Sequence, residues 1–225
     1  MVTAIIVAAG RSERMGAGTD KAFLNLGSKP VLAWSLLAFE RCSEVDSIVL
    51  VVRKDQMTAA KALVKMFGIA KVRSVVSGGS RRQDSVEAGL DAMDSATRFV
   101  VVHDGVRPCV SDDTIVETIK LARRSGAAVA GRRIWDTVKE VARGNTISST
   151  PDRSKLWAVQ TPQAFGAQLL RRAYAAAAAA KKEITDDASA VELLGEPVKI
   201  FETNVANPKI TTVEDLQVAA ALLKL

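Results

Sequence analysis

The chain of 225 residues is poor in the groups that most enzymes use for proton transfer and nucleophilic attack. It has one histidine, His103, and two cysteines, Cys42 and Cys109, far apart in sequence. A lone histidine without a GxSxG elbow excludes a Ser–His–Asp hydrolase. Two distant cysteines exclude a disulfide framework and a zinc knuckle, and predict reduced thiols and a cytoplasmic protein. Aromatic residues make up only 4% of the chain. With the basic residues scattered and no nucleic-acid motif present, that argues against a nucleic-acid partner. No apolar run reaches the roughly 18 residues of a membrane span, and a strand pattern beginning at Val2 leaves no room for a targeting peptide.

Hydrophobic residues are 48% and charged residues 25% of the total, with a formal charge of +6. Such a balance fits a globular protein with a basic site for a small polyanion, such as a nucleotide or a sugar phosphate.

The most informative stretch is Ala4–Lys21, AIIVAAGRSERMGAGTDK. Its β-branched start predicts a buried strand. The small residues Ala8, Ala9 and Gly10 then let backbone N–H groups approach a phosphate chain, with Arg14 and Lys21 as cations to hold it. The spacing is neither the GxxxxGK[ST] of a P-loop nor the GxGxxG of a dinucleotide site, which disfavours a P-loop ATPase and an NAD-dependent oxidoreductase.

Beyond this loop, strands alternate with helices. Helical spacing covers Pro30–Arg41, with Pro30 in the first turn. Ser47–Val52 reads as a doubly buried strand, Asp55–Phe67 as a helix, Lys71–Val76 as a strand, and Gly78-Gly79-Ser80 as a turn opening a helix that runs to Met93. Arg98–Val102 is a further strand and Asp112–Arg124 a helix. The alternation predicts a mainly parallel sheet covered by helices on both faces. Ile134–Ser149 alternates apolar and polar residues around Gly144-Asn145 and predicts a β-hairpin. Leu156–Phe165 is strand-like but broken by Pro162. Ala167–Lys181 is alanine-rich and helical, Asp186–Leu194 a short helix, Val198–Glu202 a strand and Val213–Leu223 a closing helix. One domain, 1–225, with an arm at 134–153, is the simplest organisation.

In such a sheet ligands bind beyond the carboxyl ends of the strands. Four polar segments converge there: 8–21, 78–85, 104–108 and 204–209. Gly79 and its neighbours offer backbone groups at close range. Asp104 is open to several roles: a ribose hydroxyl, a second substrate, a metal, or a cap on the turn before Arg107. His103 reads as a structural hydrogen-bonder. Asp186-Asp187 reads as a helix N-terminus rather than a pair of catalytic acids.

Taken together, AAGRSERMG (8–16), Lys21, RQDSV (82–86), HDGVRP (103–108), DTVKE (136–140), TPQAF (161–165), TDDAS (185–189) and NPKITT (207–212) resemble, in order, the motifs of the 2-C-methyl-D-erythritol 4-phosphate cytidylyltransferase family. The resemblance implies a Rossmann-like nucleotidyltransferase fold, a homodimer joined through the arm, and transfer of a cytidylyl group from CTP to a polyol phosphate with release of pyrophosphate. It implies Mg²⁺ bound mainly through CTP oxygens and water, with no protein ligand named. Arg14 and Lys21 would stabilise the α-phosphate. The backbone of Ala8, Ala9 and Gly10 would hold the nucleotide, with Gly79, Ser80 and Ser85 around the cytosine. Lys209, Arg153 and Thr137 would hold the second phosphate, Thr137 reaching from the arm toward the other subunit. Asp104 and Arg107 would read the polyol hydroxyls. The nucleophile would be a phosphate oxygen, largely anionic at neutral pH since its second pKa lies near ~6, so no general base is required. Two departures stand out: Ser80 replaces a commonly acidic residue, and Gly105-Val106 replaces the commoner pair in HDAARP. A ribitol 5-phosphate cytidylyltransferase and a non-catalytic nucleotide-binding module are the alternatives.

Overall fold

The computed structural model describes residues 1–10 and 20–225. The chain begins with strand β1 (Val2–Ala8), followed by the short strands β2 (Asn25–Leu26) and β3 (Lys29–Pro30), which pair as a small ribbon. Helix α1 (Val31–Arg41), strand β4 (Ser47–Val52), helix α2 (Met57–Met66), strand β5 (Val72–Ser77) and helix α3 (Arg82–Asp91) come next. Strand β6 (Phe99–Asp104), helix α4 (Asp112–Ser125) and strand β7 (Ala127–Arg133) lead into the arm strands β8 (Glu140–Val141) and β9 (Ile147–Ser149). The chain returns in β10 (Trp157–Gly166) and finishes with helices α5 (Ala167–Ala179) and α6 (Asp187–Glu192), strand β11 (Lys199–Glu202) and helix α7 (Val213–Leu223).

Among the described residues, seven strands form one sheet in the order β11-β7-β10-β6-β1-β4-β5. Every pairing is parallel except those of β10, which runs antiparallel to both β6 and β7. The expected mainly parallel sheet with helices on both faces is therefore present, with one reversed strand near its middle. That reversal follows from the arm: chain leaving β7 through a hairpin comes back beside it in the opposite sense, as a crossover helix would not require.

The alternation along β1 divides the core. Ala4, Ile6 and Ala8 pack into a cluster with α1, α2 and α4, while Ile5, Val7 and Ala9 pack with α3, α5 and α6. Period-two side chains on a sheet buried on both faces explain the near-continuous apolar runs of β4 and β6. Among the described residues no helix is long and apolar enough to cross a membrane.

Two expectations need correction. Pro162 does not break its strand: β10 is continuous, with a register shift between Val159 and Gln163 that absorbs the missing N–H. A bulge is where a sheet interior tolerates proline. Pro30 sits one position earlier than expected, as the N-cap of α1 with extended backbone. The hairpin at 140–149 forms as expected, with Gly144 and Asn145 both at positive φ (77° and 57°).

The seat of α3 on the sheet is tight. A Cβ added at Gly89 would lie 2.5 Å from Cγ2 of Ile5, a fully buried and β-branched side chain with little freedom to move. Replacing Gly89 by Ala is expected to lower stability by roughly 1–3 kcal/mol through overpacking, read as a lower urea midpoint with an unchanged slope. An unchanged midpoint would show that α3 accommodates the methyl group.

Candidate functional site: two clefts sharing a carboxylate hub

All the parallel strands of the sheet point their carboxyl ends to one edge, and two adjoining clefts open there. The first has a volume of about 600 Å³ including space open to solvent, and is lined by the end of β1 and the two residues after it (Val7–Gly10), by Asp20–Ala22, by Gly79–Arg82 and Ser85, and by Asp104, Val106 and Lys209. The second is lined by Arg82, Asp104, Arg107 and Lys209 together with parts of β10 and the segment Thr185-Asp186. Arg82, Asp104 and Lys209 line both.

Asp104 is the last residue of β6, and its side chain is only 8% exposed. Three cations converge on it: Lys209 Nζ at 3.0 Å, Arg107 Nε at 3.3 Å and Arg82 Nε at 3.3 Å. Burial pushes the Asp104 carboxyl up, but Arg82, Lys209 and Arg107 outweigh burial and hold it well below the usual carboxylate range. It is an anion at any working pH.

Arg82 is anchored from behind. Its two terminal nitrogens donate to both oxygens of Asp187 at 3.1 and 2.7 Å, the planar fork matching the carboxylate. Asp187 is fully buried and also accepts from Tyr174 Oη at 2.5 Å. Burial alone would lower the Arg82 pKa; Asp187 and Asp104 reverse that and raise it. Asp186 does act as the N-cap of α6, as expected, accepting from Ser189 N. Asp187 beside it instead faces the core and holds Arg82. Among the described residues there is no group of three or more His, Cys, Asp and Glu able to hold a metal.

His103 has no exposure. The backbone N–H of Asp104 donates to Thr161 Oγ1, which lies 3.0 Å from His103 Nδ1, and His103 Nε2 lies 3.2 Å from the carbonyl oxygen of Arg107. The network assigns the tautomer: Thr161 donates to Nδ1, and Nε2–H donates to Arg107. Burial pushes the imidazole pKa down to about 4. A neutral, buried ring tying β6 to β10 cannot relay protons to a ligand.

Arg107 also donates to the carbonyl of Asn207 at 2.9 Å, and Asn207 Nδ2 donates to the carbonyl of Thr161. Ile210 N donates to Val106 O at 2.8 Å. The loop that carries Lys209 is thereby stitched to the end of β6 on either side of the lysine.

Cations gathered where two clefts meet suit a reaction between two anions. A family model for 2-C-methyl-D-erythritol 4-phosphate cytidylyltransferase (IspD) matches residues 2–225. The chain belongs to this family. A relative from Dehalococcoides mccartyi named for that activity is 46% identical over 99% of this chain and 96% of its own. The solved structure of the 4-diphosphocytidyl-2C-methyl-D-erythritol synthase of Anaerococcus prevotii is similar at a TM-score of 0.88 and 33% identity, covering 100% of this chain and 96% of that one. The cytidylyltransferase structure from Thermus thermophilus gives 0.83 and 32%, covering all of both chains. The chain is thus a nucleotidyltransferase of the methylerythritol phosphate route to isoprenoids.

Of the residues expected in a cytidylyltransferase site, Ala8, Ala9, Gly10, Lys21, Gly79, Ser80, Ser85, Asp104 and Lys209 line the first cleft, and Arg107 lines the second. Arg14 lies outside the described residues. Thr137 and Arg153 line neither cleft of their own chain. Both are exposed in the arm, where Arg153 Nη1 donates to the carbonyl of Trp135. Arg82, Asp187 and Tyr174 were missed. Arg82 and Asp187 lie 105 residues apart, and the local pattern around each is that of a helix start.

The buried imidazole gives stability a pH dependence with a definite sign. Between an ordinary pKa of 6.5 and the folded value of about 4, the unfolded chain binds a proton that the folded one refuses. Stability should therefore fall as pH drops through that window, by on the order of 3 kcal/mol. Replacing His103 by Gln should flatten this part of the curve, as measured by urea unfolding across the window. A variant with the same slope as the parent would assign the pH dependence to other groups.

Proposed function

We propose that the first cleft holds CTP and the second holds 2-C-methyl-D-erythritol 4-phosphate, and that the substrate phosphate attacks the α-phosphorus where the clefts meet. A substrate oxygen forms a bond to the α-phosphorus, the bond from that phosphorus to the β-phosphate oxygen breaks, and pyrophosphate leaves. The observation that carries this reading is the sharing of Arg82, Asp104 and Lys209 by both clefts.

In this mechanism the main barrier is repulsion between two polyanions. Fixed cations lower it without reorganising during the reaction. Lys21 and Arg14 stabilise the α-phosphate as charge builds on its oxygens. The backbone of Ala8, Ala9 and Gly10 lies along the phosphates, and Gly79, Ser80 and Ser85 surround the base. Lys209 and Arg107 meet the second substrate, with Asp104 fixing both cations and remaining within reach of hydroxyl groups. The attacking oxygen needs no base.

A Mg²⁺ ion fits this cleft through its nucleotide. Asp20 lines the cleft, and among the described residues its buried Oδ2 has no hydrogen-bond partner, while Arg53 Nη1 lies 3.8 Å from it. Mg²⁺ is usually held by phosphate oxygens, water and one or two carboxylates; Asp20 would be the protein's contribution and the ion would neutralise triphosphate charge.

The reading includes a cytoplasmic homodimer formed through the arm, residues 134–153 of the single domain 1–225, with no membrane or nucleic-acid partner. Trp135, Val141 and Ile147 of the arm are 77%, 56% and 59% exposed, and large apolar side chains left in water on one arm favour burial against a partner. Thr137 and Arg153, remote from their own clefts, would complete the second cleft of the other subunit.

Replacing Lys21 or Arg14 by Ala is expected to lower kcat by about 10²–10³, the equivalent of ~3–4 kcal/mol of transition-state stabilisation. Pyrophosphate release with methylerythritol phosphate and, in parallel, ribitol 5-phosphate measures this and the choice of acceptor. Full turnover in either variant, or turnover of ribitol 5-phosphate alone, would contradict the reading. Mixing inactive Lys21→Ala with inactive Arg153→Ala should restore part of the activity, because one site of each mixed dimer would be intact. No recovery on mixing would mean that each site is built within one chain.

A further inference from the structure

The base end of the first cleft is lined by two hydroxyls, Ser80 and Ser85. Each is already committed as a donor to the protein. Ser80 Oγ donates to Asp84 Oδ2 at 3.0 Å, and Ser85 Oγ donates to the carbonyl of Arg81 at 3.2 Å. A serine hydroxyl has a single hydrogen, so both groups turn only lone pairs toward a ligand. An array of acceptors attracts N–H groups and repels a carbonyl oxygen.

Asp84 itself has little freedom. It accepts from Arg81 N at 3.0 Å as part of the capping box of α3, and from the Arg81 guanidinium at 2.5 and 3.1 Å. The hydrogen bonds from Arg81 hold its carboxyl down at about 2, so it remains an acceptor and cannot return a proton to Ser80. It also lies close over the backbone of the turn: a Cβ at Gly79 would meet Asp84 Cβ at 2.4 Å.

Resting on the assignment of this cleft to the nucleotide, we infer that Asp84, by fixing the Ser80 hydroxyl as a donor to itself, is a positioning residue that makes the site select a nucleobase with an amino group at its 4-position over one with a carbonyl there. Cytosine offers N–H groups at that position; uracil offers an oxygen. Ser80 thus supplies an acceptor, and the carboxylate that orients it comes from four residues further on.

The test is the ratio of kcat/KM for CTP to that for UTP, with methylerythritol phosphate as acceptor, in the parent, Asp84→Asn, Ser80→Ala and the double variant. Asp84 is the third residue of α3, where its Oδ2 accepts from both Ser80 Oγ and Arg81 N while its Oδ1 accepts from the Arg81 guanidinium. An asparagine that keeps its oxygen on the guanidinium turns its amide N–H to Ser80 in place of Oδ2, at the cost of the bond from Arg81 N, and frees the hydroxyl to donate to a carbonyl. The ratio is expected to fall at least about tenfold in Asp84→Asn, chiefly through KM, as losing one hydrogen bond and gaining the opposite preference implies. It should also fall in Ser80→Ala, and the double variant should fall no further than the lower single variant. A purely structural role for Asp84 would slow both nucleotides together, and an unchanged ratio in Asp84→Asn overturns the inference. If that variant does not fold, the exposed Ser80→Ala decides alone, an unchanged ratio again being the contrary result. A parent inert toward every nucleotide would refute the nucleotidyltransfer assignment itself, an outcome distinct from an active parent whose ratio the substitutions leave unmoved.

Discussion

One carboxylate among three cations governs the arrangement of this molecule. Arg82, Arg107 and Lys209 come from three distant parts of the chain and repel one another, yet all lie within 3.3 Å of Asp104. Bringing such charges out of water is costly unless each finds a partner. Asp104 supplies that partner from the end of β6, and Asp187 supplies a second one for Arg82. Three cations against two carboxylates leave a local excess of positive charge where the clefts meet. Because that excess is fixed before any ligand arrives, it can stabilise a highly charged transition state without reorganising.

The same constraint explains features that have no direct part in the chemistry. His103 is buried and neutral because its place is to tie β6 to the bulge of β10 through Thr161. The bulge lets Pro162 stand inside a sheet, and it presents Thr161 to the backbone of Asp104. The loop after β11 is bound at Asn207 and Ile210 so that Lys209 between them has a defined reach. The chain's poverty in histidine fits a reaction whose nucleophile is already an anion.

Much of this was legible in the residues alone. The apolar runs of β4 and β6 are continuous because both faces of the sheet are covered, and α7 spans the residues its spacing predicted. The convergence of four polar segments at one sheet edge followed from parallel strands without any coordinates. Less visible was the Arg82–Asp187–Tyr174 anchor, since the TDDA segment has the local appearance of a simple cap and its partner lies 105 residues away. Pro162 misled in the other direction, because a missing N–H is costly in a regular ladder but not at a register shift. Ser80 read as a departure from the family's pattern beside the base; the direction of its hydrogen bond, which only the structure contains, gives it a defined polarity.

The central claim is that fixed charge, and no proton transfer by the protein, carries the reaction. The pH dependence of kcat/KM for methylerythritol phosphate, measured in light and heavy water, tests it most directly. The account predicts one rising limb that follows the second ionisation of the substrate phosphate near ~6, a plateau above it, and no solvent isotope effect on the plateau. A second ionisation belonging to the protein, together with a large normal isotope effect, would contradict it.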